Sequence, residues 1–275
     1  MRPPIPDIAI PPMPPKLEWT GVDDAKPNVD RMAALGPVLV HFFDFAQLNS
    51  VRTLPYLSEW HERYRDPGLV VLGVHSPRYP CTAPPDAVAA AAERLGIAYP
   101  VAVDSRFAVW RAYGCERWPS LFLWGQGGAL RWFHFGEGEY VATEASIQGL
   151  LLESRPEERL PSTLAPLRAT DEPGALVAPP SDEVLPGGSE SEPWEPRPSD
   201  PQLALDYEAG GAYVTADGEG EIEATIDGGD AERIPVAHPG LYELAAHERS
   251  ERHRVVVRPT PGVRVWSVSY AAGTP

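Results

Sequence analysis

A short, almost wholly apolar stretch that runs directly into an amphipathic helix constrains the fold of this chain most strongly. The stretch "VLVHFF" at 38–43 follows a Gly-Pro pair and has the pattern of a strand buried on both faces. Over residues 51–64, apolar side chains recur every three or four positions, which predicts a helix with one buried face. The sequence Asp-Pro-Gly then ends this helix. A doubly buried strand followed by a helix is typical of a parallel sheet covered by helices.

The alternation of strands and helices continues to about residue 154. Further buried strands are predicted at "GLVVLGVHS" and "YPVAVD", and helices at "PPDAVAAAAERLGI" and "SRFAVWRAYG". The stretch "WPSLFLWGQGGALRWFHFGEG" predicts a hairpin that turns at Gly125–Gly128, and "EYVATEASIQGLLLES" predicts a closing helix. The order βαβαβαββα predicts an α/β fold whose mixed sheet has a parallel core and an antiparallel hairpin at its edge.

Composition divides the chain into four parts. Residues 1–16 form a proline-rich arm, expected to be extended, and residues 17–154 hold the α/β domain. Residues 155–200 are rich in Pro, Ser and Glu and bury too little apolar surface to offset their ordering entropy, which predicts a linker, disordered or draped over a domain. Residues 201–275 are short alternating segments broken by Gly, Asp and Pro, which predicts a small all-β sandwich. One hairpin turn in it is expected at Asp227–Asp230.

The charge of the chain excludes some classes of partner. A formal net charge of −16 disfavours binding to nucleic acids and to anionic membrane surfaces, because both are negatively charged. No apolar run is long enough to predict a transmembrane helix, and the N-terminus lacks the continuous apolar core of a signal peptide. Two cysteines are too few for a disulfide framework. We therefore expect a cytoplasmic protein.

Several stretches of the α/β domain resemble a known family. They are "LEW" at Leu17, "RTLPYL" at Arg52, "HERYRDPGLVVLGVHSP" at His61, "GIAYPVAVDS" at Gly96, "AYGCERWPSLFL" at Ala112 and "FHFGEGEY" at Phe133. On these the domain resembles the thioredoxin-like domain of the DipZ and TlpA thiol-disulfide oxidoreductases, and also the thioredoxin domain of NHL-repeat-containing proteins. The stretches "PGLYEL" and "PGVRVWSVSY" of the tail resemble the small β-domain, described as carbohydrate-binding-like, that follows thioredoxin in DipZ-type proteins. The resemblance implies a thioredoxin fold followed by a β-domain.

The redox positions of that family are altered here. The resemblance places its cysteine pair where this chain has Gln47-Leu48-Asn49-Ser50. Gln47 cannot ionise or attack a disulfide, and Ser50 is a poor nucleophile at neutral pH unless a base activates it. Thioredoxins often carry a buried Asp in the preceding strand for proton transfer, and here that position is His41. Both changes predict that the redox chemistry has been lost.

The substrate groove of the family has partial counterparts. Trp118-Pro119 matches the position of the cis-proline that faces the redox pair and holds a bound peptide. With His75, this segment and the residues that follow the first buried strand predict a groove for a peptide or protein partner: Asp44, Phe45, Gln47 and Asn49. The alternative is that Pro119 only begins the hairpin.

Cys81 and Cys115 suggest a second hypothesis. In this fold the carboxyl ends of the parallel strands and the cis-proline loop share one edge of the sheet, so both thiols could lie near the altered site. A relocated redox pair needs Cα atoms within about 7 Å of each other. The favoured alternative is two unrelated cysteines, one in a loop and one partly buried.

Metal and sugar sites are less favoured. His41, His75, Cys81, Cys115 and His134 lack the close spacing of metal-ligand pairs, and no cofactor is predicted. In the tail, aromatic side chains could form a carbohydrate-stacking platform, although alternating aromatics in a small sandwich are more often core. These are Tyr207, Tyr213, Tyr242, Trp266 and Tyr270.

Three functional hypotheses remain. The favoured one is a redox-inactive thioredoxin-like protein that binds a peptide or partner in the old groove. The second is a thiol-disulfide oxidoreductase or peroxidase-like antioxidant protein that uses Cys81 or Cys115. The third is a structural or assembly protein in which the chain itself closes the groove.

Overall fold

The computed structural model describes residues 5–22, 26–199 and 201–275. The first four residues of the predicted arm lie outside the described residues. The described chain forms two compact units. The first lies within Met1–Phe45, Asn49–Pro77 and Pro84–Leu167, and the second consists of Ala46–Leu48, Arg78–Ala83 and Arg168–Pro275.

The elements up to residue 154 follow the predicted alternation, with additions at the N-terminus. In chain order they are β1 (Ile5–Ala9), β2 (Glu18–Thr20), α1 (Val29–Leu35), β3 (Val38–Phe43), α2 (Leu48–Tyr64), β4 (Val70–His75), α3 (Pro85–Arg94), β5 (Val101–Val103), α4 (Ala108–Tyr113), β6 (Ser120–Trp124), β7 (Ala129–Phe135) and α5 (Tyr140–Ser154). A short 3-10 turn spans Pro80–Thr82.

The sheet of the first unit has the strand order β1-β7-β6-β3-β4-β5-β2. Strands β3, β4 and β5 run parallel, whereas β6 is antiparallel to β3 and forms an antiparallel hairpin with β7. The hairpin turn contains Gly127 and Gly128, both at positive φ, where glycine avoids the steric cost of a Cβ. The predicted α/β thioredoxin fold, with its parallel core and antiparallel hairpin, is confirmed.

The hairpin does not lie at the edge of the sheet, contrary to expectation. Strand β1, which comes from the predicted proline-rich arm, pairs antiparallel with the outer side of β7. At the opposite edge β2 pairs with β5. Pro6 lacks an N–H to donate, which is tolerated on an edge strand because only one side of its backbone must pair. This is why a proline-rich segment could still extend the sheet.

Apolar side chains on one face of the sheet form a continuous core. Alternate residues of β3 and β4, among them Val38, Val40, Phe42 and Leu72, join side chains of α1 and α4 in this cluster. The intervening residues of the same strands point to the opposite face, because strand side chains alternate. His41 and His75 are therefore on the other face of the sheet, and both are fully buried.

The second unit is all-β, as expected from its sequence. Its strands are β8 (Leu203–Asp217), β9 (Gly220–Ile226), β10 (Ala231–Val236), β11 (Gly240–Pro259) and β12 (Arg264–Ala271). They form one five-stranded antiparallel sheet in the order β10-β9-β11-β8-β12. The predicted hairpin at Asp227–Asp230 joins β9 to β10, with Asp227 and Gly228 at positive φ.

Residues 155–199, which the sequence predicts to be linker, make specific contacts. In the first unit the Leu164 amide donates a hydrogen bond to Glu144 of α5 (2.9 Å). In the second unit Val184 and Trp194 form isolated bridges with Val268 and Val265 of β12. Backbone pairing of this kind fixes the position of a segment even when it contains few apolar residues.

Across the described ranges of the chain, none of the helices combines the length and the apolar character needed to cross a membrane.

Candidate functional site

The altered redox motif lies at the junction between β3 and α2. Gln47 immediately precedes the helix, and Ser50 is its third residue. Ser50 is fully buried, and its Oγ accepts a hydrogen bond from the Asp44 amide at 3.3 Å. This hydroxyl is therefore part of the strand-to-helix turn. A buried hydroxyl that accepts a backbone N–H is positioned to stabilise the turn rather than to attack a substrate.

Gln47 and Asn49 remain partly exposed to solvent. Both are half-buried, whereas Asp44 and Phe45 are buried. Gln47 belongs with Ala46 and Leu48 to the second unit, and Asn49 belongs to the first. The Asn49 carbonyl accepts a hydrogen bond from Thr53 one turn later in α2 (2.8 Å). Carboxamide side chains of this kind donate and accept hydrogen bonds but have no group that ionises near neutral pH.

Asp44 and His75 meet at the carboxyl ends of β3 and β4. The parallel register places Phe43 opposite His75, so Asp44 follows directly beside it. Asp44 Oδ2 is 3.9 Å from His75 Nε2, and both side chains are fully buried. Phe45 stacks on the imidazole with ring centroids 5.0 Å apart. Burial lowers the pKa of His75, while the nearby carboxylates of Asp44 and Asp104 oppose that shift.

His41 is more isolated than His75. Its ring stacks on Phe43 at 5.0 Å with an interplanar angle of 7°. Neither ring nitrogen of His41 has a hydrogen-bond partner among the described residues. Burial lowers the pKa of His41 to about 3, which leaves the imidazole neutral near pH 7. A neutral ring of such low basicity is unsuited to accept a proton from a reacting group at neutral pH.

Trp118 and Pro119 form the loop that leads into β6. The peptide bond between them is cis. Pro119 is buried, and its carbonyl accepts a hydrogen bond from the Gly136 amide at 2.7 Å. The half-buried Trp118 donates its indole N–H to the Ser76 carbonyl at 2.8 Å, which ties this loop to the end of β4.

The structure thus brings several of the predicted residues together. Asp44, Phe45, Ser50 and His75 form one buried cluster, and Trp118 is tied to the residue that follows His75. Of the predicted groove residues, those that retain exposed surface are Gln47, Asn49 and Trp118.

Asp104 is a residue of this region that the sequence analysis missed. It follows β5, is 2% exposed, and accepts hydrogen bonds from the amides of Ala108, Val109 and Trp110 at 2.7, 3.2 and 2.8 Å. It also accepts a longer hydrogen bond from Ser76 (3.4 Å). An Asp between an apolar strand and a helical pattern is a recognisable capping signal, and "VAVDSRFAVW" contains it.

Both cysteines are free thiols. Cys81 is buried in the 3-10 turn and belongs to the second unit, while the half-buried Cys115 follows α4 in the first unit. Burial raises the pKa of the Cys115 thiol well above its ordinary value. Since the thiolate is the nucleophilic form, this environment disfavours reactivity at Cys115.

The metal and carbohydrate hypotheses concern residues of both units. In residues 5–22, 26–199 and 201–275, no group of three or more His, Cys, Asp or Glu side chains is arranged to hold a metal ion. In the second unit Tyr207, Trp266 and Tyr270 are buried, and Tyr207 and Tyr270 belong to its hydrophobic core. Tyr213 and Tyr242 are half-buried. A carbohydrate platform that uses all five aromatic side chains would need the buried three to be exposed.

No family model matches the chain. The chain is 29% identical over 288 residues to Protein DipZ of Mycobacterium tuberculosis, an alignment that covers 92% of this chain and 41% of DipZ. It is 29% identical over 133 residues to human NHL repeat-containing protein 2, covering 48% of this chain and 18% of that protein. It is 28% identical over 118 residues to the thiol-disulfide oxidoreductase YkuV of Bacillus subtilis, covering 43% of this chain and 79% of YkuV.

These relatives differ in how much of each protein the alignment covers. The chain spans about two fifths of the length of the DipZ proteins that it matches (41%). The alignment with DipZ extends over most of this chain, whereas the alignment with YkuV covers less than half of it. The chain carries a thioredoxin-like domain of the DipZ/TlpA type, and the resemblance predicted from its sequence is confirmed.

Proposed function

We propose that this chain, whose thioredoxin-like domain is of the thiol-disulfide oxidoreductase type, has no disulfide chemistry of its own and binds a peptide or protein partner. The observation that carries the proposal is the state of the β3–α2 junction. Gln47 cannot form a thiolate, and Ser50 is buried with its Oγ engaged by the Asp44 amide. The loop that would present a peptide beside this junction keeps its cis-proline, with Trp118 half-buried and fixed by its indole hydrogen bond.

The oxidoreductase alternative would have to use Cys81 or Cys115. Against it, burial raises the pKa of Cys115 and so depletes the thiolate that disulfide exchange requires. Cys81 is also buried. Cys81 therefore lacks the exposure that a thiol needs to meet a protein disulfide.

Purified protein should show no disulfide-reductase turnover above the dithiothreitol background. We expect the wild type and a Cys81→Ser/Cys115→Ser variant to give the same rate, because neither contains a thiol that is both accessible and readily ionised. The measurement is insulin reduction followed by turbidity, with a conventional thioredoxin as positive control. Turnover in the wild type that disappears in the variant would establish the oxidoreductase alternative.

Replacing Trp118 with alanine should weaken peptide binding roughly tenfold, because an aromatic anchor at an interface commonly contributes that much. Selection of a displayed random peptide library on wild-type protein, followed by titration of the enriched peptides, provides the measurement. Pro119→Ala should weaken binding in the same direction. The matched control is Trp132→Ala, since Trp132 is a half-buried tryptophan of the same unit whose indole N–H donates to Thr143. Binding that is equally strong in Trp118→Ala would disprove the groove assignment.

The assembly alternative is favoured by one observation. The segment Ala46–Leu48 belongs to the second unit, where the Ala46 carbonyl accepts a 2.7 Å hydrogen bond from Thr215 of β8. In that role the altered motif holds the chain's own structure rather than a ligand. A library selection that yields no Trp118-dependent peptide would favour this alternative.

The cytoplasm is the proposed compartment. Two free cysteines in a chain without disulfides suit a reducing environment. The net charge of −16 supports the further expectation that neither nucleic acid nor an anionic membrane is the partner.

A further inference from the structure

Three aromatic side chains beside the Pro119 loop form a partly exposed cluster. The rings of Trp110 and Trp118 have centroids 4.4 Å apart, and Phe107 lies 6.0 Å from the first and 6.3 Å from the second. All three side chains are half-buried. Their inner side is anchored, because Trp110 meets the core residue Phe42 edge-on at 6.1 Å. Their remaining surface is an apolar patch on a rigid base.

Phe107 has an unusual backbone conformation. Its φ is +57°, in the left-handed region that a bulky side chain rarely adopts. The conformation is held by the hydrogen bond from the Phe107 amide to the Asp104 carbonyl at 2.9 Å. Strained residues of this kind cluster at ligand-contacting sites, where the surrounding structure fixes them. Here the strain directs an aromatic ring towards Trp110 and Trp118.

Three exposed arginines are sequence neighbours of this cluster. Arg106 precedes Phe107, Arg111 follows Trp110, and Arg117 precedes Trp118. The Arg111 guanidinium donates to the Arg106 carbonyl at 2.9 Å. None of the three makes an ion pair with any part of the chain that the structure describes. The chain has 39 acidic residues against 23 Lys and Arg, and exposed Glu116 is the sequence neighbour of Arg117, so the absence of an ion pair with described residues at all three arginines is informative.

We propose that these six residues, here called the aromatic–arginine surface, dock an acidic peptide segment that carries an apolar or aromatic side chain. The inference rests on the proposed function, because Trp118 belongs to both sites. An apolar side chain of the partner packs on the exposed ring faces, and its flanking carboxylates pair with the guanidinium groups. Guanidinium groups suit carboxylates because they present paired donors in a fixed plane.

The net charge of the chain does not argue against an acidic partner. Repulsion from distant carboxylates is screened beyond a Debye length of about 8 Å at physiological salt. Contacts between the partner's carboxylates and the three arginines form within that distance. The three arginines outnumber Glu116, the exposed carboxylate adjacent to Arg117 in the sequence, and this local excess of positive charge favours one orientation of an acidic segment over others.

The library selection also tests this inference. We expect the enriched peptides to carry Asp or Glu on both sides of an aromatic or large aliphatic residue. Enrichment of basic or uncharged peptides that still depends on Trp118 would overturn the inference and leave the proposed function standing. Absence of any Trp118-dependent peptide would overturn both. Concentration-dependent self-association that the arginine variants abolish would identify a second copy as the occupant, and would also overturn the inference.

A synthetic fluorescein-labelled peptide, with glutamates flanking a central Phe-Leu pair, gives the affinities. Arg111→Gln and Arg117→Gln should each weaken binding roughly threefold, the scale of an exposed ion pair. Phe107→Asn removes the ring while Asn tolerates the left-handed backbone, so it should weaken binding without loss of folding. Arg65→Gln is the charge-matched control, because Arg65 is exposed but pairs with Glu62. If Arg111→Gln and Arg117→Gln bind the peptide as tightly as the wild type and the Arg65→Gln control, the role of Arg111 and Arg117 is disproved.

Discussion

Replacing Asp104 with alanine should lower the free energy of unfolding by roughly 3 kcal/mol, the cost of leaving several buried amide donors without an acceptor. The Asp104 carboxylate is 2% exposed and accepts from three successive backbone amides at the start of α4, the closest at 2.7 Å. The alanine side chain has no acceptor for these hydrogen bonds. Water cannot readily replace the carboxylate, because Asp104 and Val109 are both buried.

Urea unfolding followed by circular dichroism measures this change. Asp104→Asn should lose less stability than Asp104→Ala, since it retains one acceptor oxygen but introduces an amide group among donors. Asp30→Ala is the matched control, because Asp30 is an exposed acidic residue in the first turn of α1. We expect this control to lie within about 0.5 kcal/mol of the wild type. An Asp104→Ala variant as stable as the control would show that water satisfies the amides.

The Asp104→Asn variant distinguishes two effects at the aromatic–arginine surface. One is the positioning of the aromatic rings, and the other is their direct contact with the peptide. Asp104 holds the first turn of α4, and with it Phe107 and Trp110, without forming part of the exposed patch. In protein that remains folded, Asp104→Asn should weaken peptide binding less than removal of Trp118, because the rings are displaced rather than lost.

The fold was predictable wherever buried residues recur at a regular spacing along the sequence. Doubly buried strands and one-faced helices leave patterns of different period along the chain, and these patterns alone predict the order of β3 to α5. The hairpin between β6 and β7 was predictable from its glycine-rich turn. Strand β1 was not, because an edge strand is stabilised mainly through backbone pairing, which leaves little trace in side-chain pattern.

The candidate site was predictable in part. The resemblance located Gln47 and Ser50 correctly at the start of α2, because a strand-to-helix junction is fixed by local sequence. It did not indicate that Asp44 and His75 would be fully buried, since burial depends on what packs over the ends of the strands. Phe107, with its positive φ, was also not predictable, because nothing in the sequence marks a phenylalanine for the left-handed region.

Replacing His41 with leucine should make the protein less sensitive to acid. Burial lowers the pKa of His41 to about 3 in the folded protein, whereas the ordinary value in an unfolded chain is 6.5. Between pH 6.5 and about 3 the unfolded chain binds a proton at this imidazole and the folded chain does not. The stability that His41 provides is therefore complete above pH 6.5, and it declines as the pH falls by about 1.4 kcal/mol per pH unit.

Leucine at position 41 removes this dependence of the unfolding free energy on pH. At pH 7.5 we expect His41→Leu to lie within about 1 kcal/mol of the wild type, because it replaces a buried ring without hydrogen-bond partners by an apolar side chain. Between pH 7.5 and pH 5 the stability difference should shift by about 2 kcal/mol in favour of the variant, the product of that slope and the 1.5 units below pH 6.5. The measurement is the difference in unfolding free energy between the two proteins, taken from urea titrations across this pH range.

His75 adds to the acid sensitivity of the wild type in the same direction, since burial also lowers its pKa. Asp44 and Asp104 oppose that shift, so these two carboxylates limit how much of the pH dependence His75→Leu removes. The control is His134→Leu, in which the lost imidazole is half-buried and contacts the Glu137 carbonyl. The difference in unfolding free energy between His41→Leu and wild type could instead stay constant from pH 7.5 to 5. That result would mean that His41 is protonated as readily in the folded protein as in the unfolded chain. In that case the position could still accept a proton, which would contradict the loss of proton transfer together with the cysteines.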